Sequence, residues 1–226
     1  RAETDGLEKR RTSVDVGGVR LGDFDAGAGL GGKKTAPVPD SIWARLEKNK
    51  FSFNKVVKEQ WILYHKDPFD EYASPTPLGG QGMIGVVCGE SKSFKSQVIG
   101  AMESTALGRP HVTGFQMYLT EDRPEILHID TEQSGIYAYW SVKCINFQAN
   151  IGVDLPNYHA FFFREYSPTQ RLKYLQELVD ENPRIGVVVV DGLLDLVKNF
   201  NDEKEAAEVL QFLMTMADRG IMILCV

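Results

Sequence analysis

An apolar run at residues 185–190, IGVVVV, is followed directly by Asp191 and Gly192. A strand with one solvated face alternates apolar and polar residues, whereas a strand that is apolar throughout is typical of a parallel sheet buried on both faces. Parallel strands also need crossover connections, which are usually helices. The run therefore predicts an α/β domain in which this strand lies deep in the sheet.

Strand-like and helix-like segments alternate along the chain from residue 83 onward. The pattern predicts strands at residues 83–88, 126–130, 158–164, 185–190 and 221–226, and helices at residues 96–107, 134–148, 169–181 and 203–219. Strands that alternate with helices are typical of βαβ units. We therefore expect a mostly parallel sheet that is covered by helices on both faces.

The residues before this pattern have a different composition. Residues 1–40 are rich in glycine and alanine and show no periodicity, so we expect a flexible arm or linker, in which Lys9-Arg10-Arg11 is more typical of a solvated charge run than of a nucleic-acid contact. Residues 41–78 are predicted to be an N-terminal helical segment, because apolar residues between Trp43 and Leu63 recur at roughly helical spacing. These helices would pack on the domain's own core or on a neighbouring subunit. Prolines and glycines then mark the boundary to a core of residues 79–226.

Composition limits the classes of function. The 226 residues carry a formal net charge of -6, so the chain as a whole repels phosphate and a purely electrostatic DNA-binding protein is disfavoured. The cysteines form neither a disulfide framework nor a metal-binding ladder, and we expect Cys88 and Cys225 to be buried in strands. No apolar stretch is long enough for a membrane span and no signal peptide is visible. We therefore expect a cytoplasmic protein that does not bind a membrane.

The segment between the first predicted strand and helix follows the P-loop pattern G-x-x-x-x-G-K-[ST], with Phe94 in place of the second glycine. A loop there directs backbone N–H groups and a helix N-terminus at one point, which favours a nucleotide phosphate. Lys95 would neutralise the β- and γ-phosphates as a catalytic residue, and the Ser96 hydroxyl would bind Mg²⁺. The alternative is an ordinary loop with solvated lysines. The residues predicted to contact ATP are Gly89, Glu90, Ser91, Lys92, Ser93, Phe94, Lys95, Ser96 and Gln97.

Acidic residues follow two of the other predicted strands. Asp191 ends the apolar run and has the form of a Walker B acid, which can reach Mg²⁺ through its water shell, although it could also simply begin a turn with Gly192. Glu132, in the sequence Asp130-Thr131-Glu132-Gln133, is the candidate catalytic carboxylate that orients the attacking water. Helix capping by Asp130 or Thr131 is the competing interpretation of this cluster.

Together these pieces resemble the RecA-like ATPases that are related to the hexameric replicative helicase RepA, and in particular the AAA-family ATPases of Bacteroides-type mobile elements. The resemblance covers residues 82–226 and is carried by GESKSFKS, HIDTEQS, FFREYSPTQR and VVVVDGLLDLVKNFNDEKEA. It implies a RecA-like P-loop NTPase fold, binding of ATP and Mg²⁺ at Lys95, Ser96 and Asp191, and catalysis by Glu132. It also implies a homo-oligomer, such as a ring or hexamer, with the nucleotide between subunits.

The same resemblance implies work on DNA, as a helicase, motor or loader in replication or mobile-element transfer. Family members often carry a bulkier residue at the second P-loop glycine, so Phe94 is similar to a family variant. The family's sensor residue, DNA-contacting loops and arginine finger follow the last strand, so we expect the core to be incomplete at Val226. The alternatives are a nucleotide-controlled binding or regulatory module and a scaffold that lost nucleotide binding through Phe94.

A few other polar and aromatic residues carry weaker signals. Arg164 follows an aromatic strand, where a structural ion pair is more common than a contact with phosphate or a neighbour. Asp195 is expected to take part in the hydrogen bonding of its loop rather than to bind metal. The four histidines show no metal-ligand spacing. Tyr137, Tyr139 and Trp140 are expected in a helix core or an interface rather than in a base-stacking platform.

Overall fold

The structure is a computed structural model and describes residues 41–47, 50, 60–70, 72–90, 93–108, 113–149, 156–199 and 201–226. The chain divides into two units, Arg1–Val56 and Val57–Val226. The described part of the first unit contains helix α1 (Ile42–Leu46), which begins where the Ser41 hydroxyl accepts a hydrogen bond from the backbone N–H of Ala44. The predicted arm of residues 1–40, with its basic run, lies outside the described residues.

The second unit contains the alternating pattern of strands and helices. Its elements are β1 (Trp61–His65), β2 (Thr76–Gly80), β3 (Ile84–Val86), α2 (Lys95–Leu107), β4 (Phe115–Met117), β5 (Glu125–Asp130), α3 (Gly135–Gln148), β6 (Tyr158–Phe162), α4 (Pro168–Glu181), β7 (Ile185–Asp191), a 3-10 helix (Leu193–Leu196), α5 (Glu203–Ala217) and β8 (Met222–Cys225). Five of the strands form one sheet in the order β3-β8-β7-β5-β6, and all neighbours in it are parallel. The predicted parallel sheet is therefore confirmed.

Helices cover both faces of this sheet. Every residue of β7 is buried. Its side chains alternate between two cores, because Val188 and Val190 pack with residues of α4 and α5, whereas Val187 and Val189 pack in a core shared with residues of α2 and α3. The α/β fold with helices on both faces of the sheet, predicted from the unbroken apolar run, is confirmed.

The helices of this fold begin at sequence-encoded caps. Ser167 and Gln170 form a capping box at the start of α4, where Pro168 occupies the first turn. Asp202 caps α5 by accepting hydrogen bonds from the backbone N–H groups of Lys204 and Glu205. These local signals explain why the predicted starts of the two helices agree with the structure to within a residue or two.

A second, smaller sheet was not predicted. Strands β2, β1 and β4 form it in that order with antiparallel pairing. The prediction of a helix through residue 63 is wrong for its last residues, because Ile62 and Leu63 lie in β1 and are buried in the core on the α2 side. The turn-rich stretch also contains a strand, β2, in which Pro77 is tolerated because β2 is at the sheet edge.

The predicted burial of the two cysteines is confirmed for Cys225 and wrong for Cys88. Cys225 is fully buried in β8, and burial raises the pKa of its thiol to about 12. Cys88, in contrast, is exposed, because β3 ends before it.

In α3 the buried residues are Ala138 and Ile145. The side chains of Tyr137, Tyr139 and Trp140 are 66%, 54% and 55% exposed, so their placement in a helix core is wrong, and their role in an interface stays a prediction.

A polar cluster joins the amino ends of β5, β6 and β7. The Glu125 carboxylate is buried and accepts hydrogen bonds from Arg184 Nε at 2.5 Å and from Asn182 Nδ2 at 2.6 Å. It also lies 2.9 Å from His159 Nε2. Burial alone would raise the pKa of Glu125, but these three partners outweigh it and lower the pKa to about 2.

The depressed pKa of Glu125 predicts a pH-dependent stability. The folded state favours the carboxylate, so its stabilisation is present above the unfolded pKa of about 4.5 and disappears as the pH falls towards 2. We expect Glu125→Gln to lower the free energy of unfolding by about 1–2 kcal/mol at pH 6, a value reduced by solvent screening at the exposed Arg184. Urea denaturation at several pH values should show this difference shrinking between pH 5 and pH 2. A difference that stays constant would contradict the assignment.

Candidate functional site

The carboxyl ends of β5 and β7 place two acids next to each other. Asp130 and Asp191 are register partners on the adjacent parallel strands. Each is only 2% exposed. One oxygen of each carboxylate, Oδ2 of Asp130 and Oδ1 of Asp191, is buried without a hydrogen-bond partner. Buried carboxylate oxygens are costly unless a cation or donor compensates them, so this edge of the sheet is suited to a positively charged ligand.

Asp130 also shapes the turn that carries Glu132. Its Oδ1 accepts hydrogen bonds from the backbone N–H groups of Glu132 at 3.0 Å and of Gln133 at 2.8 Å. Burial raises the pKa of Asp130, and the charge of Asp191 adds to this, while the two N–H donors act in the opposite direction. The predicted capping by Asp130 or Thr131 is corrected, because the N-cap of α3 is Ser134. Asp130 therefore fixes the loop before the helix rather than the helix itself.

The turn after β7 is held against the turn after β5. Gly192 has a φ of 106°, and a Cβ at this position would overlap Thr131 Oγ1, so the close approach requires glycine. The Thr131 hydroxyl lies 2.8 Å from the carbonyl oxygen of Gly192 and 3.3 Å from Asp195 Oδ2. The prediction that Asp195 belongs to the hydrogen bonding of its loop is confirmed.

The side chain of Lys95, the first residue of α2, folds back onto the loop that precedes the helix. Lys95 Nζ donates hydrogen bonds to the carbonyl oxygens of Gly89 at 3.1 Å and of Glu90 at 2.9 Å. A Cβ at Gly89 would lie 2.6 Å from Ser93 Oγ, so the loop packs closely at this first position. The ammonium group is thereby kept at the loop and close to the N-terminus of α2.

Phe94 is the backbone outlier of this loop. It has φ 61° and ψ 26°, in the left-handed region, and it precedes α2 without capping it through its side chain. No other non-glycine residue among those described has a positive φ. The left-handed conformation costs a residue with a Cβ about 1–2 kcal/mol, whereas glycine adopts it freely. The loop thus has the conformation expected of glycine at this position, although the residue is an aromatic one.

A cavity of about 210 Å³ lies between α2, α3 and the ends of β5 and β7, and we refer to it as the edge cavity. Ser96, Gln97 and Asp191, three of the residues predicted for the site, line it. His128 and Gln133 line it as well, and the motifs did not identify them as site residues. The fold therefore brings the first turn of α2 to the buried acid of β7, as the order of the motifs predicts.

Other predicted site residues are arranged differently. Glu132 is exposed and does not line the edge cavity in the described structure, but its Cβ would lie 3.4 Å from a Cβ at Gly192, next to the end of β7. Lys95 is also outside the cavity lining and stays at its loop. Ser91 and Lys92 lie outside the described residues. The sheet edge thus collects the predicted acids and the first turn of α2, with Glu132 at its rim.

Sequence reasoning missed Arg171, which organises the same edge. This buried side chain on α4 donates hydrogen bonds to the carbonyl oxygens of Phe163, Arg164 and Asp195, and so ties the loops after β6 and β7 together. Arg164 itself is exposed and forms no ion pair with any residue that the structure describes, so the structural ion pair predicted for it is absent there. A buried arginine in a helix has no sequence signal that separates it from the many exposed ones.

The residues present fit a magnesium ion bound with a phosphate ligand. Within the described ranges, no group of three or more His, Cys, Asp or Glu side chains could hold a metal ion by itself. Mg²⁺ needs no such group, since it keeps several waters and is bound by one or two carboxylates together with substrate phosphates. The unpartnered Oδ1 of Asp191 and the Ser96 side chain at the edge cavity suit that mode.

The strained backbone of Phe94 leads to a stability prediction. We expect Phe94→Gly to raise the free energy of unfolding by a net amount on the order of 0.5–1 kcal/mol, after allowing for the greater freedom of glycine in the unfolded chain. Phe94→Ala is the matched control, because it removes the exposed ring but keeps the Cβ and therefore the strain. Chemical denaturation of the three proteins should place only the glycine variant above the wild type. Equal stability of both variants would show that the backbone conformation is not strained.

Comparisons with known proteins leave the family open. No family model matches the chain. No curated protein matches it either. In the described part of the chain, no helix combines the length and the apolar character that a membrane crossing requires. The function is therefore inferred from the chemistry of the sheet edge.

Proposed function

We propose that this chain binds ATP with Mg²⁺ at the carboxyl edge of its parallel sheet and hydrolyses the nucleotide. The observation that carries the proposal is Asp191, a buried acid with an unpartnered oxygen, facing the same cavity as Ser96 in the first turn of α2. Ligands of parallel α/β sheets bind at this edge of the sheet. A helix N-terminus and a buried acid in one cavity match a phosphate–metal pair, in which the first turn of α2 would hold the phosphate and Asp191 and Ser96 would hold the metal ion.

The first turn of α2 and its loop would hold the phosphates. The N–H groups at the start of a helix have no partner within the helix, so those at the start of α2 are available to an anion. The N-terminus of α2 lacks a side-chain cap that would compete for them. Lys95 Nζ now donates to two loop carbonyls, and it would exchange these for phosphate oxygens, which are stronger acceptors because they are charged.

The acids at the ends of β5 and β7 would have different tasks. A magnesium ion, when bound, would neutralise phosphate charge and orient the phosphate for attack. Asp191 would hold that ion from the sheet side, together with Ser96. Glu132 is exposed beside Gly192, where its carboxylate is free to orient a water molecule at the rim of the site. Asp130 would keep Glu132 in place through the turn it fixes.

The wider function rests on the resemblance to RecA-like ATPases related to the helicase RepA. The parallel sheet with helices on both faces and the phosphate-loop residues before α2 are compatible with it. We therefore propose a RecA-like P-loop ATPase that acts on DNA as a helicase, motor or loader, in an oligomer. The second candidate is a nucleotide-controlled binding module, which is favoured by the exposed aromatic side chains of α3, since these suit a protein partner.

Steady-state ATP hydrolysis, with and without single-stranded DNA, tests the proposal. The wild type is expected to hydrolyse ATP, and DNA should stimulate it if the chain works on DNA. Lys95→Ala should weaken nucleotide binding by about 1.5–3 kcal/mol, or roughly 10- to 150-fold, because a charged hydrogen-bond partner of the phosphates is lost. Binding is measured by titration with a slowly hydrolysed ATP analogue.

Glu132→Gln serves as the second variant in that experiment. It should keep the affinity for the analogue and slow hydrolysis, since only the water-orienting carboxylate is changed. An equal rate of ATP hydrolysis with and without single-stranded DNA would favour the nucleotide-controlled binding module. If Lys95→Ala binds the analogue with unchanged affinity, the loop before α2 does not bind the phosphates in the proposed way.

A further inference from the structure

A buried acid–histidine pair lies behind the edge cavity. Glu103, on α2, is 0% exposed, and its Oε1 lies 2.9 Å from Nδ1 of His128 on β5, which is 5% exposed. The other Glu103 oxygen, Oε2, has no hydrogen-bond partner, and neither has the buried hydroxyl group of Tyr158. The pair therefore connects α2, which begins at the predicted phosphate loop, with β5, the strand that ends at Asp130.

The position of each partner relates it to the proposed site. Glu103 lies seven residues after Ser96 on α2, which is about two helical turns and therefore the same side of the helix. His128 and Asp130 are two residues apart on β5, so they share one face of the strand. His128 also lines the edge cavity together with Ser96 and Asp191. The His128 ring thus contacts α2 through Glu103 and lines the same cavity as Asp191.

Stability alone does not account for such a pair. Replacing a buried ion pair by apolar side chains of similar volume is often neutral or stabilising, so its presence in a core calls for another reason. Burial alone would lower the pKa of His128, but the charge and hydrogen bond of Glu103 outweigh it and raise the pKa, and Asp191 and Asp130 add to the rise. Burial and the nearby Glu103 likewise raise the pKa of the Tyr158 hydroxyl group well above its usual range.

We propose that Glu103 and His128 form a positioning pair, which transmits the position of α2 to the Asp130 turn and so aligns Glu132 with a phosphate bound at α2. This inference rests on the proposed ATPase function, which supplies the reaction that is aligned. His128 holds β5 at a fixed distance from α2 through Glu103. Asp130, on the same strand face, fixes the backbone of Glu132 and Gln133. Neither member of the pair touches the reacting atoms.

Substitutions at His128 separate positioning from folding. His128→Phe keeps an aromatic ring, although a somewhat larger one, and removes the hydrogen bond, whereas the amide nitrogen of His128→Asn can replace Nδ1 opposite Glu103. Mutation of the outer partners that orient metal ligands typically costs about 10- to 100-fold in affinity or activity, and we expect a similar scale for a pair that positions Glu132. We expect His128→Phe to slow single-turnover ATP hydrolysis at least about tenfold while the affinity for an ATP analogue changes less than about threefold. His128→Asn should recover much of the rate.

The chain offers a matched control for this experiment. His159 forms a pair with Glu125 at the same 2.9 Å distance, but at the opposite end of the sheet. His159→Phe should therefore leave both hydrolysis and analogue binding unchanged, even if it lowers the thermal stability. If His128→Phe does not fold, Glu103→Met removes the same hydrogen bond from the α2 side and should give the same separation of rate from affinity.

A second readout keeps this inference distinct from the proposed function. Amide hydrogen exchange in the nucleotide-free proteins should become faster for Glu132 and Gln133 in His128→Phe, and should remain unchanged there in His159→Phe. If the wild type does not bind the ATP analogue but exchange at Glu132 and Gln133 is faster in His128→Phe, the ATPase proposal is rejected and the coupling of α2 to the turn is supported. Unchanged exchange, or an equal loss of rate in the His159 control, would overturn the positioning role.

Discussion

Two carboxylates buried side by side at the end of a parallel sheet are the constraint on which the rest of this structure depends. Asp130 and Asp191 face each other across β5 and β7, and each has an oxygen without a partner. Such a pair is tolerated when positive charge compensates it. His128 is buried on the same strand as Asp130. Burial alone would lower the pKa of its ring, but Glu103 and, to a lesser extent, both acids raise it above its ordinary value. A bound metal ion would supply positive charge at the edge of the sheet.

This constraint explains several local features of the sheet edge. Because the two acids end adjacent strands, the turns that follow them lie against each other, and this close approach requires the positive φ of Gly192 and is held by the Thr131 hydroxyl. Arg171 ties the turn after β7 to the loop after β6. The left-handed backbone of Phe94 begins α2 at the same edge, at a cost in conformational energy. A strained backbone and two unsatisfied buried carboxylate oxygens thus occur at the same edge, and strain of this kind is common at functional sites.

Much of the central sheet could be predicted from the sequence because its signals are local. The unbroken apolar run of β7, the caps of α4 and α5 and the alternation of elements each lie within one short segment. The small sheet could not be predicted in this way. Strand β1 is identified by its pairing with β2 and β4, and β4 is distant in the sequence, so the apolar spacing around Ile62 was consistent with a helix until its partners were known.

The residues of the candidate site show the same difference between local sequence signals and long-range packing. Ser96, Gln97 and Asp191 belong to motifs with a known order, and the fold brings them to one cavity. Glu103 and His128 are ordinary residues in their own segments, and only the packing of α2 against the sheet makes them a pair. The left-handed conformation of Phe94 could not be predicted either. A P-loop pattern predicts this conformation for the second glycine, but it predicts it for Phe94 only if the loop conformation is preserved when phenylalanine replaces the glycine.

The magnesium dependence of nucleotide binding tests the central claim most directly. Calorimetric titration of a slowly hydrolysed ATP analogue into the wild type and into Asp191→Asn, each with Mg²⁺ and with excess chelator, isolates the role of the buried acid. The account predicts that Mg²⁺ strengthens binding to the wild type and that most of this gain is lost in Asp191→Asn. Binding that is equally strong without Mg²⁺, or a gain that survives the substitution, would contradict it.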